Sequence, residues 1–232
     1  QAKVDTFGLY GYEMINGFLV IGANSDTDIT NISSLSSIKR LGKGLDIRNN
    51  PLLSSLSDLS IEQLSVSGTG TDSQNSLSII NNDLLTTLNG LEGITSVYKA
   101  LGVSSNDSLI SLSGLENITS VGANVSIYNN NSLLSLSGLV NLNTVEGTLD
   151  ISTNALLTSL SSLQNITSIG DNLLINNNNV LGSLLGLENI ISTGGQVSIV
   201  NNSITSLEGL SGINTIGGEL YIRSNSLLTS FA

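Results

Sequence analysis

The sequence predicts a mainly β fold, a right-handed parallel β-solenoid with about 24 residues per coil. Three observations predict it: a Leu-x-Ile motif that returns at a nearly constant interval, a three-residue spacing of apolar residues after each motif, and an asparagine at one fixed place in every unit.

The motif sets a register-zero residue at Leu19, Leu45, Leu77, Leu101, Val125, Leu149, Leu173, Val197 and Leu220, and the five steps from Leu77 to Val197 are each 24 residues long. Two residues on stand Ile21, Ile47, Ile79, Val103, Ile127, Ile151, Ile175, Ile199 and Ile222. Alternation of this kind, rich in β-branched residues, fits a strand with one buried face, because successive side chains point to opposite sides. After the strand the apolar period becomes three, as in Leu85, Leu88, Leu91, Ile94 and Val97. Neither a plain strand nor a long α-helix has that period, whereas a curved path of turns or short 3₁₀ segments does. Gly90, Gly114, Gly138, Gly186 and Gly209 each precede one of these leucines, where a tight or positive-φ bend is expected. Each unit is therefore one strand and one return path, and stacking sets the strands about 4.8 Å apart.

Five residues after register zero stand Asn24, Asn50, Asn82, Asn106, Asn130, Asn154, Asn178, Asn202 and Asn225. An inward amide at this place bonds the backbone of neighbouring coils, and a buried amide left unpaired would cost about 1–3 kcal/mol. These asparagines are read as a structural ladder rather than a binding site.

A repeat array grows by adding coils, so one domain is expected: residues 1–18 as an N-terminal cap or docking segment and 19–232 as the solenoid, with an irregular insertion at 67–76 and an incomplete last coil. Its core must be aliphatic, since aromatics make up only 3% of the chain. A net charge of −11 repels phosphate backbones, so nucleic acid is excluded as a partner, and no apolar run is long enough for membrane insertion. Cysteine and histidine are absent. Most acids, such as Glu92, Glu116, Glu188 and Glu208, are scattered along outer turns instead of converging, so no catalytic residue, cofactor or metal is expected and the chain is read as no enzyme.

The unit from Val125 to Val145, with the segment Leu115 to Val121, resembles leucine-rich repeats of the receptor L-domain type. Similar tandem units occur in secreted and surface proteins of Bacteroidetes. The resemblance implies an extracellular or cell-surface scaffold or recognition surface, although the cysteines of receptor L domains are missing here.

Where the repeat breaks, something other than stacking is at work. Between Leu45 and Leu77 the step is 32 residues, with Leu64 and Val66 expected to form an extra strand and Asp72 the one charged group of the insertion. The outward strand positions form a ribbon on which Tyr128, Leu174, Val200 and Tyr221 are the candidate ligand face, and Asp46 and Arg48 a candidate ion pair. Candidate glycosylation sequons stand at Asn31, Asn117, Asn124 and Asn165, while those at Asn106 and Asn130 belong to the inward ladder. Phe7, Leu9, Tyr10, Tyr12 and Phe18 concentrate apolar surface at the N-terminus, and Leu227, Leu228 and Phe231 open a further repeat at the other end, which either continues in a longer array or is covered by another surface; in the second case these are the candidate assembly residues. The expected function is a non-catalytic extracellular structural or adhesive protein that associates with itself, head to tail in a surface filament, or with another surface protein. The alternative is a recognition module that binds protein or glycan on the strand ribbon.

Overall fold

The computed structural model describes residues 11–64 and 76–229. They wind into a parallel β-solenoid in which each coil contributes a two-residue strand followed by a four-residue strand. The pairs are β1 (Met14–Ile15) and β2 (Leu19–Gly22), β3 (Arg40–Leu41) and β4 (Leu45–Arg48), β5 (Gln63–Leu64) and β6 (Leu77–Ile80), β7 (Ser96–Val97) and β8 (Leu101–Ser104), β9 (Ser120–Val121) and β10 (Val125–Tyr128), β11 (Thr144–Val145) and β12 (Leu149–Ser152), β13 (Ser168–Ile169) and β14 (Leu173–Asn176), β15 (Ser192–Thr193) and β16 (Val197–Val200), and β17 (Thr215–Ile216) and β18 (Leu220–Arg223). The long strands stack into one nine-stranded parallel sheet, in the register set by the Leu-x-Ile motif, so that Leu101 faces Leu77 on one side and Val125 on the other. The short strands form a second side of the coil, three of them in one sheet (β1, β3, β5) and six in another (β7 to β17).

Leu64 belongs to this second side. It pairs with Leu41 and occupies the place that Val97 and Val121 hold in later coils, so β5 is the regular short strand and not an extra one. Val66 lies outside the described residues, as does the 67–76 insertion except for Ser76. The extra length falls between a short and a long strand, a connection of only three residues in the other coils. Met14–Ile15 likewise pairs with Arg40–Leu41, which joins part of the 1–18 segment to the short-strand side.

Every residue of the described hydrophobic core is Leu, Ile or Val. The three-residue period sends Leu85, Leu88, Leu91, Ile94 and Val97 inward, each at most 1% exposed. The bend in mid-return takes two forms. In the Gly-Leu-Glu coils, Gly90, Gly114 and Gly186 have φ of +110° to +113°, and each donates its N–H to Glu92, Glu116 or Glu188 at 2.6–2.8 Å. In four of the coils where no glutamate follows, a 3₁₀ turn forms instead, at Ser33–Leu35, Ser137–Leu139, Ser161–Leu163 and Glu208–Leu210, while Ser57 and Asp58 make a plain turn. Gly138 and Gly209 thus occupy tight bends without positive φ. A charged acceptor makes the stronger hydrogen bond, and glycine tolerates the backbone that bond requires.

Each long strand from β4 to β18 ends in a left-handed residue: Asn49, Asn81, Ser105, Asn129, Thr153, Asn177, Asn201 and Ser224, with φ of +54° to +58°. Asparagine enters this region readily, whereas a β-branched residue is strained there. Asn81 donates to Asn49 Oδ1 at 2.8 Å and Asn201 to Asn177 Oδ1 at 2.9 Å, making two stretches of an outer asparagine row that Ser105 and Thr153 interrupt. Thr153→Asn relieves the strain and is expected to stabilise the fold by about 1 kcal/mol, read as a higher thermal midpoint. An unchanged or lower midpoint counts against this reading of the turn.

Candidate functional site

The inward asparagines are wholly engaged in stacking. From Asn50 to Asn225 each Nδ2 donates to a strand carbonyl of the preceding coil at 2.7–3.0 Å, Asn130 to Val103 for example. Each Oδ1 from Asn106 onward accepts the backbone N–H of the preceding asparagine at 2.9–3.2 Å. Among the described residues no buried side-chain nitrogen or oxygen lacks a partner.

Asn24 is the exception and corrects the nine-member ladder. It is exposed, and Thr27 takes its place by donating its hydroxyl to Asn50 Oδ1 at 2.7 Å. Eight residues separate Ile21 from Ile29 where six separate Ile79 from Leu85, and the positive φ falls on Gly22 instead of on the residue before the asparagine. Ala23 before Asn24, where later coils carry Asn, Ser or Thr, is the signal that marked this coil as different.

On the outward ribbon the four candidate ligand residues do not make one strip. Leu174, Val200 and Tyr221 are partly buried diagonal neighbours on β14, β16 and β18, with the Arg223 guanidinium 4.8 Å from the centre of the Tyr221 ring. Tyr128 is exposed and stands apart, separated from Leu174 by β12, which carries Asp150 and Ser152. Asp46 is buried although it is on the outward face, because Arg48 folds over it and donates Nε–H to Oδ1 at 2.8 Å. Ser198 is also buried, its hydroxyl donating to Asn176 at 3.0 Å.

The sequon asparagines at Asn117 and Asn165 are exposed, and the Nδ2 that would carry a glycan donates to Glu92 O and Val140 O, both at 2.7 Å. Asn141 and Asn189 make the same contact one coil further along, so this is another stacking row, legible as an Asn-Ile or Asn-Leu pair in the return path. Asn124 accepts the Thr148 N–H at 2.9 Å, and Asn31 accepts the Ser33 hydroxyl at 3.2 Å; both are exposed.

Of the candidate assembly residues, Phe7, Leu9, Tyr10 and Phe231 lie outside the described residues. Tyr12 is half exposed, Phe18 packs its ring edge beside Gly44, Leu227 is half exposed, and Leu228 is partly buried against the core. The last described coil presents an open apolar cavity of about 310 Å³ lined by Leu207, Leu210, Ile213, Ile216, Leu220 and Ile222. Among the described residues no cluster of three or more acids could hold a metal ion, and no helix is long and apolar enough to cross a membrane. No family model, curated protein or solved structure matches the chain.

Proposed function

We propose that this chain is a non-catalytic, extracellular structural or adhesive solenoid of leucine-rich-repeat character, of the receptor L-domain-like kind found on Bacteroidetes surfaces, which associates head to tail. The observation that supports this reading is the stack itself, in which the inward amides from Asn50 to Asn225 are spent on holding one coil to the next, as suits a scaffold. A head-to-tail contact between subunits is heterologous, and such a contact builds a filament. Glu92, Glu116 and Glu188 support the non-catalytic part, because each is committed to a glycine N–H of its own turn. Electron microscopy of the purified chain, with and without residues 1–18, tests the reading: filaments that need those residues are expected, and dispersed monomers from both preparations at high concentration would overturn it.

A second reading, recognition of a protein or glycan on the ribbon, is favoured by the contiguous Leu174, Val200 and Tyr221 with Arg223 stacked on the ring. Substituting Leu174 and Tyr221 by alanine separates the two, since it removes ligand binding in this reading and leaves assembly intact in the first.

A further inference from the structure

One side of the solenoid carries a row of exposed aliphatic side chains that stacking does not require. It follows the long sheet, in the stretch where the chain passes from the asparagine ladder into the return path. In each of six successive coils a buried Leu (Leu53, Leu85, Leu109, Leu133, Leu157, Leu181) is flanked by two outward positions. One of those two is always a large aliphatic residue, 45–49% exposed: Leu52, Leu84, Ile110, Leu134, Leu156 and Val180. Neighbouring coils are tied together at this level by main-chain bonds, Ile110 N to Thr86 O, Leu134 N to Ile110 O and Thr158 N to Leu134 O, at 3.1–3.2 Å. The face is therefore ribbed at the strand spacing of about 4.8 Å and held rigid by the stack.

Two features identify what covers it. The first is charge. The segments 52–57, 84–89, 108–113, 132–137, 156–161 and 180–185 hold no Asp, Glu, Lys or Arg, in a chain whose net charge is −11. Two copies of so acidic a chain repel each other, and the contact is least opposed on a face without charges. The second is symmetry. The aliphatic residue stands before the buried Leu in the first two coils (Leu52, Leu84), after it in the middle two (Ile110, Leu134) and before it again in the last two (Leu156, Val180). That order reads the same in both directions. A two-fold axis lying in the face, along the strand direction and between the Ile110 and Leu134 coils, sets Leu52 opposite Val180, Leu84 opposite Leu156, and Ile110 opposite Leu134. Self-complementarity of this kind is what an isologous interface requires. Five steps of about 4.8 Å along the stack, by a width of about 20 Å across it, give a face of about 480 Å², at the small end of specific interfaces.

We propose that this uncharged face is the interface of a two-fold dimer in which a second copy of the chain packs face to face with its coils running in the opposite direction. The dimer is lateral, so it uses a surface other than the coil ends and stands whether or not those ends associate.

Sedimentation equilibrium of the full chain, at low and at high sodium chloride, tests it. A dimer is expected, and it tightens with salt because screening weakens the repulsion between two anionic subunits. Leu84→Lys and Leu156→Glu, at half-exposed positions that leave the core intact, are each expected to weaken dimerisation tenfold or more while far-ultraviolet circular dichroism stays unchanged. Mixing the two variants restores the dimer, because the axis sets position 84 of one subunit against position 156 of the other. The mixed pair then holds one contact between the introduced lysine and the introduced glutamate and one Leu–Leu contact, in place of two lysines or two glutamates pressed on leucine. A wild-type chain that stays monomeric at every concentration overturns the proposal. So does a dimer that neither variant weakens, or a loss that mixing fails to restore.

Discussion

Replacing Asn130 by leucine is expected to cost about 3–5 kcal/mol, whereas Asn24→Ala changes stability by less than about 0.5 kcal/mol. The two asparagines hold the same place in the repeat and differ only in what the structure does with them. Asn130 is fully buried and donates to Val103 O and Tyr128 O, while its Oδ1 accepts the Asn106 N–H at 3.1 Å. Leucine fills a similar volume and leaves these main-chain groups without partners, at about 1–3 kcal/mol for each one that water cannot reach. In a one-dimensional stack the damage is greatest between the two coils that share the lost bonds, so unfolding of Asn130→Leu is expected to begin there. Asn24 is exposed and Thr27 does its work, so removing it leaves the ladder whole. Urea denaturation of the two variants beside the parent chain makes the comparison. Equal losses would mean that the ladder does not hold the coils together.

Gly114→Ala is expected to destabilise by about 3 kcal/mol or more, and Gly102→Ala to be neutral or mildly stabilising. Gly114 has φ of +110°, and a Cβ built on it would lie 2.1 Å from Leu88 O of the preceding coil. A methyl group there has to move main chain in two coils and break the bond from Gly114 N–H to Glu116. Gly102 sits in the middle of β8 with nothing within 4 Å of its Cβ position, so alanine there adds strand propensity without a clash. Thermal unfolding of both variants decides the matter, and a harmless Gly114→Ala would contradict the close stacking of return paths.

The solenoid was legible in the sequence because its two periods, two in the strand and three in the return, are set by which side chains must face the core. The short-strand side was not, because Ser96–Val97 and its equivalents show a single inward residue, too little for an alternation to register. Asn24 misled for a related reason: the letter repeats, but the two extra residues between Ile21 and Ile29 change which way it points. Surfaces were harder still. Asn117 and Asn165 carry the glycosylation pattern and also serve a stacking row, a use visible only when the carbonyl of the neighbouring coil is in place. The apolar row from Leu52 to Val180 was written as adjacent leucines, Leu52-Leu53, Leu84-Leu85 and Leu156-Leu157, only one of which fits inward. That surplus residue is what the core does not explain.

An amide ladder running from Asn50 to Asn225 holds the stack together, and hydrogen exchange measures it most directly. The backbone N–H groups of Asn82, Asn106, Asn130, Asn154, Asn178 and Asn202 each donate to the next asparagine's Oδ1 and are expected to exchange as slowly as the long-strand amides, with Asn24 far faster. If those six amides exchange at the rate of Asn24 while the strands stay protected, the ladder does not exist in solution.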